Sequence, residues 1–292
     1  LTFNMGIFFR LVLGLVLSTL IALAAYRRHA LTQSGAVGAI VVGSSIFGFG
    51  GLVWGLVLIA FFVFSTLLSH YKEGVKEEIA ADKFEKGGQR DFWQALANGG
   101  AGALIAAAAY LYFRNPVMFA AFVGAMATVN ADTWATEIGV LSPLLPRLIT
   151  TFEPVEPGTS GGVTGLGTLA TALGALAIGL IGLILLAFDG LFRRVGLGAL
   201  ADPGSGQAAW LPAVALVGGL AGSITDSLLG ATAQGIYYCP FCEKETEKRV
   251  HTCGGETLYL RGWRWLSNDW VNFLSSLVGA AVAGLLWALA VR

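Results

Sequence analysis

Residues 162–188 read GVTGLGTLATALGALAIGLIGLILLAF, without one Asp, Glu, Lys or Arg. As an α-helix, this stretch reaches about 40 Å at ~1.5 Å per residue, enough to cross the ~30 Å hydrocarbon core of a bilayer. Glycine and alanine recur among its leucines, a composition that lets helix backbones approach closely in lipid. Seven further apolar runs read the same way, at 5–25, 31–49, 51–69, 95–113, 117–137, 209–231 and 270–290. The predicted fold is all-α: a polytopic membrane bundle of about eight helices, with 1–292 forming a single membrane domain.

The composition agrees. The chain is 55% hydrophobic and 12% charged, with 40 glycines and a mean hydropathy of +0.71, whereas a soluble domain is nearer ~25% charged. Net charge is zero, so no long-range attraction to nucleic acid is expected. Arg10 sits inside the first run rather than before it, and no secreted domain follows. That run is therefore expected to stay as a helix rather than be cleaved as a signal. Phe47-Gly48-Phe49-Gly50-Gly51 makes a tight link between the second and third runs, and Arg114-Asn115-Pro116 ends the fourth and starts the fifth.

Eight spans sort the loops into two sets. The loops 26–30, 70–94, 138–161 and 232–269 hold thirteen of the 18 Lys and Arg residues. The positive-inside rule makes this set cytoplasmic and leaves both termini non-cytoplasmic. Lys72 and Lys76 lie in a run of mixed charge and are expected to be solvated.

Polar residues gather at the same face. Arg90, Asp91, Gln94 and Asn98 enter the fourth helix within an arc of about 100°. Asn130, Asp132, Thr133, Thr136 and Glu137 close the fifth, and Thr159-Ser160-Gly161-Gly162 precedes the sixth. Ser223, Asp226 and Ser227 end the seventh, while Asn268, Asp269, Asn272, Ser275 and Ser276 run into the eighth. Charge at membrane depth costs a few kcal/mol per group and tends to mark a site. Asp132 and Glu137 fall about 140° apart on a regular helix, so they reach one ion only from its flanks or across a break.

Carboxylates with Asn and hydroxyl neighbours suit Mg²⁺, which takes few protein oxygens alongside phosphate oxygens. The 159–162 glycine turn, set before a helix, offers free N–H groups to phosphate; its plainer reading is a capped turn. Lys83 and Arg90 supply cations that phosphate needs. Gly165-Leu166-Gly167-Thr168-Leu169-Ala170 fits a dinucleotide fingerprint but lacks the strand before it, and reads as helix packing.

All three cysteines fall in the 232–269 loop: Cys239, Cys242 and, beyond His251, Cys253. In a reducing compartment, three Cys and one His make a candidate structural Zn²⁺ site rather than a disulfide pair. Its expected role is to fold the loop, not to do chemistry.

Four motifs carry a resemblance. They are Asn-Ala-Asp-Thr-Trp-Ala-Thr-Glu-Ile-Gly at 130–139, Gly-Thr-Ser-Gly-Gly-Val-Thr at 158–164, Gly-Ser-Ile-Thr-Asp-Ser-Leu-Leu-Gly-Ala at 222–231 and Asn-Asp-Trp-Val-Asn-Phe at 268–273. In this order they resemble the integral-membrane family of the phytyl-phosphate kinase of the vitamin E pathway, which includes a eukaryotic transmembrane protein. Residues 86–91 and Asn98 fit the same pattern. More distantly, the chain looks like the CTP-using phytol and dolichol kinases. The resemblance implies transfer of a phosphoryl group from CTP or another nucleoside triphosphate to an isoprenoid monophosphate such as phytyl or geranylgeranyl phosphate. It implies Mg²⁺ at Asp132, Glu137 and Asp226, with Asp269 as a further catalytic carboxylate. Phosphates would rest on Lys83, Arg90, Asn98, Asn130, Thr133, Thr159, Ser160, Gly161, Gly162, Ser227, Asn268 and Asn272. The Cys/His loop departs from the eukaryotic members and suggests a prokaryotic branch, in a plasma membrane with the site facing the cytoplasm.

The acceptor of such a reaction is a phosphate monoester with a second pKa near ~6, largely ionised already, so no strong general base is required. Two other classes share parts of the pattern. A lipid cytidylyltransferase uses the same ion and nucleotide but releases pyrophosphate. A transporter also buries carboxylates, though usually near the bilayer midplane rather than at one end.

Overall fold

The computed structural model describes residues 5–80, 89–199 and 205–291. The long helices fall within a few residues of the predicted runs: α1 (Met5–Arg27), α2 (Gln33–Ser45), α3 (Leu52–His70), α5 (Phe92–Leu111), α6 (Pro116–Gly139), α7 (Gly165–Ala187), α10 (Leu211–Thr232) and α11 (Asn268–Ala290). Short helices α4 (Glu73–Ala80), α8 (Asp189–Arg194) and α9 (Ser205–Ala208) occupy connections between them. Six of the long elements are apolar and long enough to cross a membrane: α1, α2 with the π-helical turn Ile46–Gly50 that continues it, α3, α7, α10 and α11. The other two, α5 and α6, carry Gln94 and Asn98, and Asn130, Asp132 and Glu137.

Local chemistry fixes the helix ends. Asn115 accepts from Val117 N at 3.0 Å, with Pro116 at the first helical position of α6. Asp91 and Gln94 form a reciprocal capping box at the head of α5.

Packing is inside-out relative to a soluble bundle. On α7 the buried face is Gly167, Ala170, Gly174, Ala175 and Gly182, while Leu169, Leu173 and Ile184 are exposed. Small residues meet small residues between helices, and leucines face the membrane lipid. Helix α6 is the centre: Phe119 and every residue from Phe122 to Ala131 are buried, as expected of a helix surrounded by partners. It packs against α7, α10 and α11, with α3 and α5 flanking, while α1 and α2 pair and reach the bundle through α5. At one close crossing, a methyl group added at Gly218 would stand 2.8 Å from Gly279 O, and one at Gly124 2.7 Å from the same carbonyl.

The loops hold more order than an all-α reading expects. Arg147–Leu148 (β1) pairs antiparallel with Gly162–Val163 (β2). Ile236–Cys239 (β3) is the middle strand between Lys244–Thr246 (β4) and Leu258–Arg261 (β5).

Candidate functional site

Two of the carboxylates expected at one site lie near each other. Asp132, near the end of α6, and Asp226, near the end of α10, lie within electrostatic reach of each other. Ser275 on α11 donates to Asp226 Oδ2 at 3.1 Å. The third member is Glu247, just beyond β4, whose charge acts on both aspartates. It arises from a different element and was not expected from the sequence.

Glu137 is engaged elsewhere. It forms an ion pair with Lys76 of α4 and accepts from Ser69 Oγ at 2.6 Å. Lys76 also donates to the carbonyls of Leu68 and Ser69, both at 2.7 Å. Lys76 is therefore buried and ion-paired rather than solvated. The 140° between Asp132 and Glu137 decides this outcome: the first faces α10 and the β3–β4 hairpin, the second faces α3 and α4. Asp269 stands in the first turn of α11, about 9 Å along the axis from Ser275, at ~1.5 Å per residue. Asn268 begins that turn and Asn272 follows one turn later. Ser227 is half-buried beside Asp226.

The glycine turn is built differently from the expectation. Helix α7 begins at Gly165, and its N-terminus is capped by Thr164, whose Oγ1 accepts from Gly167 N at 2.9 Å. Gly162 is in β2, and Gly162 N donates to Thr159 O at 2.9 Å. The turn thus caps no helix; it lies under the end of α10. Gly161 has φ +81°, and a side chain there would meet Ala231 N at 2.6 Å. Ser160 donates to Glu247 Oε1 and to Gln234 Oε1, at 2.8 and 3.1 Å. Thr159, Ser160, Glu247 and Arg261 line a small recess here. Arg261 closes it, donating to Gly230 O and Ala231 O at the end of α10, where a cation suits the helix dipole.

Two further expectations change. Asn130 is fully buried, and its Nδ2 donates to Gly174 O at 2.8 Å, tying α6 to α7 instead of meeting a phosphate. Thr133 Oγ1 donates back to Val129 O at 2.8 Å. Lys83 lies outside the described residues.

An apolar cleft opens between α1, α2, α3 and α5. Ile21, Val42, Leu58 and Phe61 line its length, and Arg90, Gln94 and Asn98 give it a polar end. The α1–α2 turn grips the Arg90 backbone: Arg90 N donates to Ala30 O at 3.1 Å, and Thr32 N donates to Arg90 O at 3.0 Å. The guanidinium lies over the Phe62 ring, 5.8 Å from its centroid. Burial pulls its pKa below the ordinary range, and the charge of Glu137 opposes that.

A family pattern described as integral membrane protein DUF92 matches residues 16–280. This chain belongs to the DUF92 family. Protein PGR of Arabidopsis thaliana is 35% identical over 283 residues, covering 92% of this chain and 93% of that relative. The uncharacterized membrane protein MJ0933 of Methanocaldococcus jannaschii is 32% identical over 279 residues, covering 95% and 94%. No solved structure matches. This DUF92 member is therefore an integral membrane protein.

In this DUF92 chain the four soft ligands do converge. One ligand atom from each of Cys239, Cys242, His251 and Cys253 lies within 4.8 Å of the others. Gly255 N–H and then His251 push the Cys253 thiol down to about 6. Glu247 and Gln234 near the two aspartates, and Lys76 on Glu137, gave no signal in the sequence. Glu247 sits in a loop of alternating charge, Gln234 is an amide just past α10, and Lys76 looks like any loop lysine. Only the tertiary arrangement singles them out.

Proposed function

We propose that this protein is a membrane-embedded polyprenyl-phosphate kinase, transferring a phosphoryl group from CTP or another nucleoside triphosphate to an isoprenoid monophosphate. The observation that carries the reading is that Asp132, Asp226 and Glu247, from three separate elements, lie within electrostatic reach of one another at one end of the bundle. Oxygen ligands of that number suit Mg²⁺ with its phosphates. When bound, Mg²⁺ would neutralise phosphate charge during transfer.

The residues divide the work. Asp132, Asp226 and Glu247 would hold the ion, and the Thr159–Gly161 turn would lie beside the nucleotide phosphates. Arg90 takes the acceptor's phosphate, with Gln94 and Asn98 next to it, while the isoprenoid tail fills the apolar cleft. A phosphate oxygen of the acceptor forms the new bond to the γ-phosphorus as the bond to the departing nucleoside diphosphate breaks. The acceptor is already ionised, so the chain's task is positioning and charge neutralisation rather than proton removal. The bundle has eight spans in this reading, with α5 and α6 crossing beside the six more apolar ones. Both termini are outside and the site faces the cytoplasm of a prokaryotic cell, where nucleotides are.

The test uses detergent-solubilised protein with Mg²⁺, CTP and geranylgeranyl or phytyl monophosphate, following both products by mass spectrometry. Prenyl diphosphate with CDP, lost on Asp132→Ala, is expected. Pyrophosphate with a CDP-lipid would instead make it a cytidylyltransferase. No turnover with any nucleotide would overturn the enzyme reading and leave transport as the activity to assay.

A further inference from the structure

We propose that Cys239, Cys242, His251 and Cys253 bind one Zn²⁺, and that this centre holds the loop carrying Glu247 and Gln234 against the Ser160 turn. A tetrahedral site with Zn–S near 2.3 Å and Zn–N near 2.0 Å has edges of about 3.8 Å between sulfurs and about 3.5 Å between sulfur and nitrogen. Cys239 Sγ and Cys253 Sγ are 3.7 Å apart, and His251 Nδ1 is 3.3 Å from Cys253 Sγ. These are edge lengths of a metal site; a disulfide would need about 2.05 Å.

The connectivity is equally apt. Cys239 ends β3 and Cys242 lies in the turn to β4, so the Cys-x-x-Cys pair forms a knuckle at the tip of a hairpin. Cys239 and His251 are buried, Cys242 is half-buried and Cys253 is exposed. The ring's Nδ1 faces the sulfur, while its buried Nε2 has no hydrogen-bond partner among the described residues. Nδ1, which Cys253 N–H also approaches at 3.4 Å, is the ring nitrogen on the sulfur side.

Few apolar groups are available to hold this loop. Of its large side chains, Phe241, Val250 and Leu258 are exposed. Yet Glu247, between the two halves of the ligand set, is placed well enough to accept from Ser160 and Gln234, both at 2.8 Å. A cross-link between Cys239–Cys242 and His251–Cys253 closes a loop around Glu247, the sort of small substructure that a structural zinc stabilises. The centre is independent of which reaction the site performs, apart from Glu247's assigned part in it.

The experiment is elemental analysis of protein purified without added metal, combined with hydrogen exchange before and after zinc is stripped by a mercurial. One zinc per chain is expected, released by the mercurial and detected with a colorimetric chelator, and Cys242→Ser should retain far less. Stripping should raise exchange both in 239–253 and in the 158–161 turn. Absence of zinc, or an intact mass two daltons low from a disulfide, would overturn the metal site. Faster exchange confined to 239–253 would overturn its hold on the turn. Neither readout involves turnover, so failure here is separable from failure of the kinase reading.

Discussion

Ser160 donates its hydroxyl to Glu247 Oε1 at 2.8 Å, across 87 residues of sequence. The same carboxylate oxygen accepts from Gln234 Nε2 at 2.8 Å. One side of Glu247 therefore fastens the turn between β1 and β2 to the hairpin that follows α10, while its charge acts on Asp132 and Asp226.

Glu247→Gln separates these roles. The amide oxygen can still accept from Ser160, so the fold should persist, but one carboxylate charge of the proposed Mg²⁺ site is lost. The expected result is an apparent Mg²⁺ affinity weakened on the order of tenfold or more, since charge-assisted contacts contribute roughly 1.5–3 kcal/mol. A Mg²⁺ titration of turnover checks it, with thermal unfolding as the control. Unchanged Mg²⁺ dependence would remove Glu247 from the ion's coordination.

Glu137→Gln should behave in the opposite way. It removes the negative charge opposite Lys76, leaving the buried ammonium with neutral acceptors alone, the carbonyls of Leu68 and Ser69 among them. Breaking a fully buried pair costs about 3–5 kcal/mol. The Lys76 and Glu137 side chains retain 10% and 22% exposure, so about 1–2 kcal/mol is expected here after allowing for solvent screening. Thermal unfolding in detergent should show the loss, and adding Lys76→Met should restore part of it, as coupling between contacting residues requires. Full stability in the single variant would show that the pair does not hold α4 to α6.

Two neighbouring glycines, Gly161 and Gly165, should differ sharply. Gly161 combines φ +81° with a backbone 2.6 Å from where its side chain would begin. Gly161→Ala has to push the turn away from Ala231, and turnover should fall at least tenfold with the protein still in the membrane. Gly165 opens α7 with nothing within 4 Å, and alanine favours helix there. Gly165→Ala should match or slightly exceed the parent in unfolding temperature. Equal effects at both positions would contradict the close approach of turn and helix.

The bundle was legible because a span is a local property: about twenty apolar residues in a row declare it, and the helices lie where those runs fall. Part of the site was legible too, since Asp132 and Asp226 sit within apolar runs where a charge is out of place. Glu137 met the same criterion, but its direction from the helix depended on where Lys76 packs. Glu247 was hidden for the converse reason: a glutamate among loop charges is ordinary until a hairpin folds it back over α6 and α10. The 159–162 turn reads as a helix start because Thr164, the actual cap, lies only two residues further on. The cleft could not be read at all, because its lining comes from four helices.

That cleft carries the sharpest test of the acceptor. Arg90 is the cation at its polar end, held by the α1–α2 turn on both sides of its backbone. Gly35 keeps it there, because a side chain at that position would collide with Arg90 O. If the tail lies in the cleft and the phosphate on Arg90, Arg90→Leu removes a contact present before and during transfer alike. KM for the prenyl phosphate should then rise on the order of 10- to 100-fold, with kcat and KM for the nucleotide little changed. Arg90→Lys should recover only part, because lysine cannot clamp phosphate with two parallel donors. Ala39→Phe, in the apolar wall, should discriminate by tail length, slowing the C20 substrate more than a C10 analogue. A loss that instead follows the nucleotide would move Arg90 to the donor side and leave the cleft to bilayer lipid.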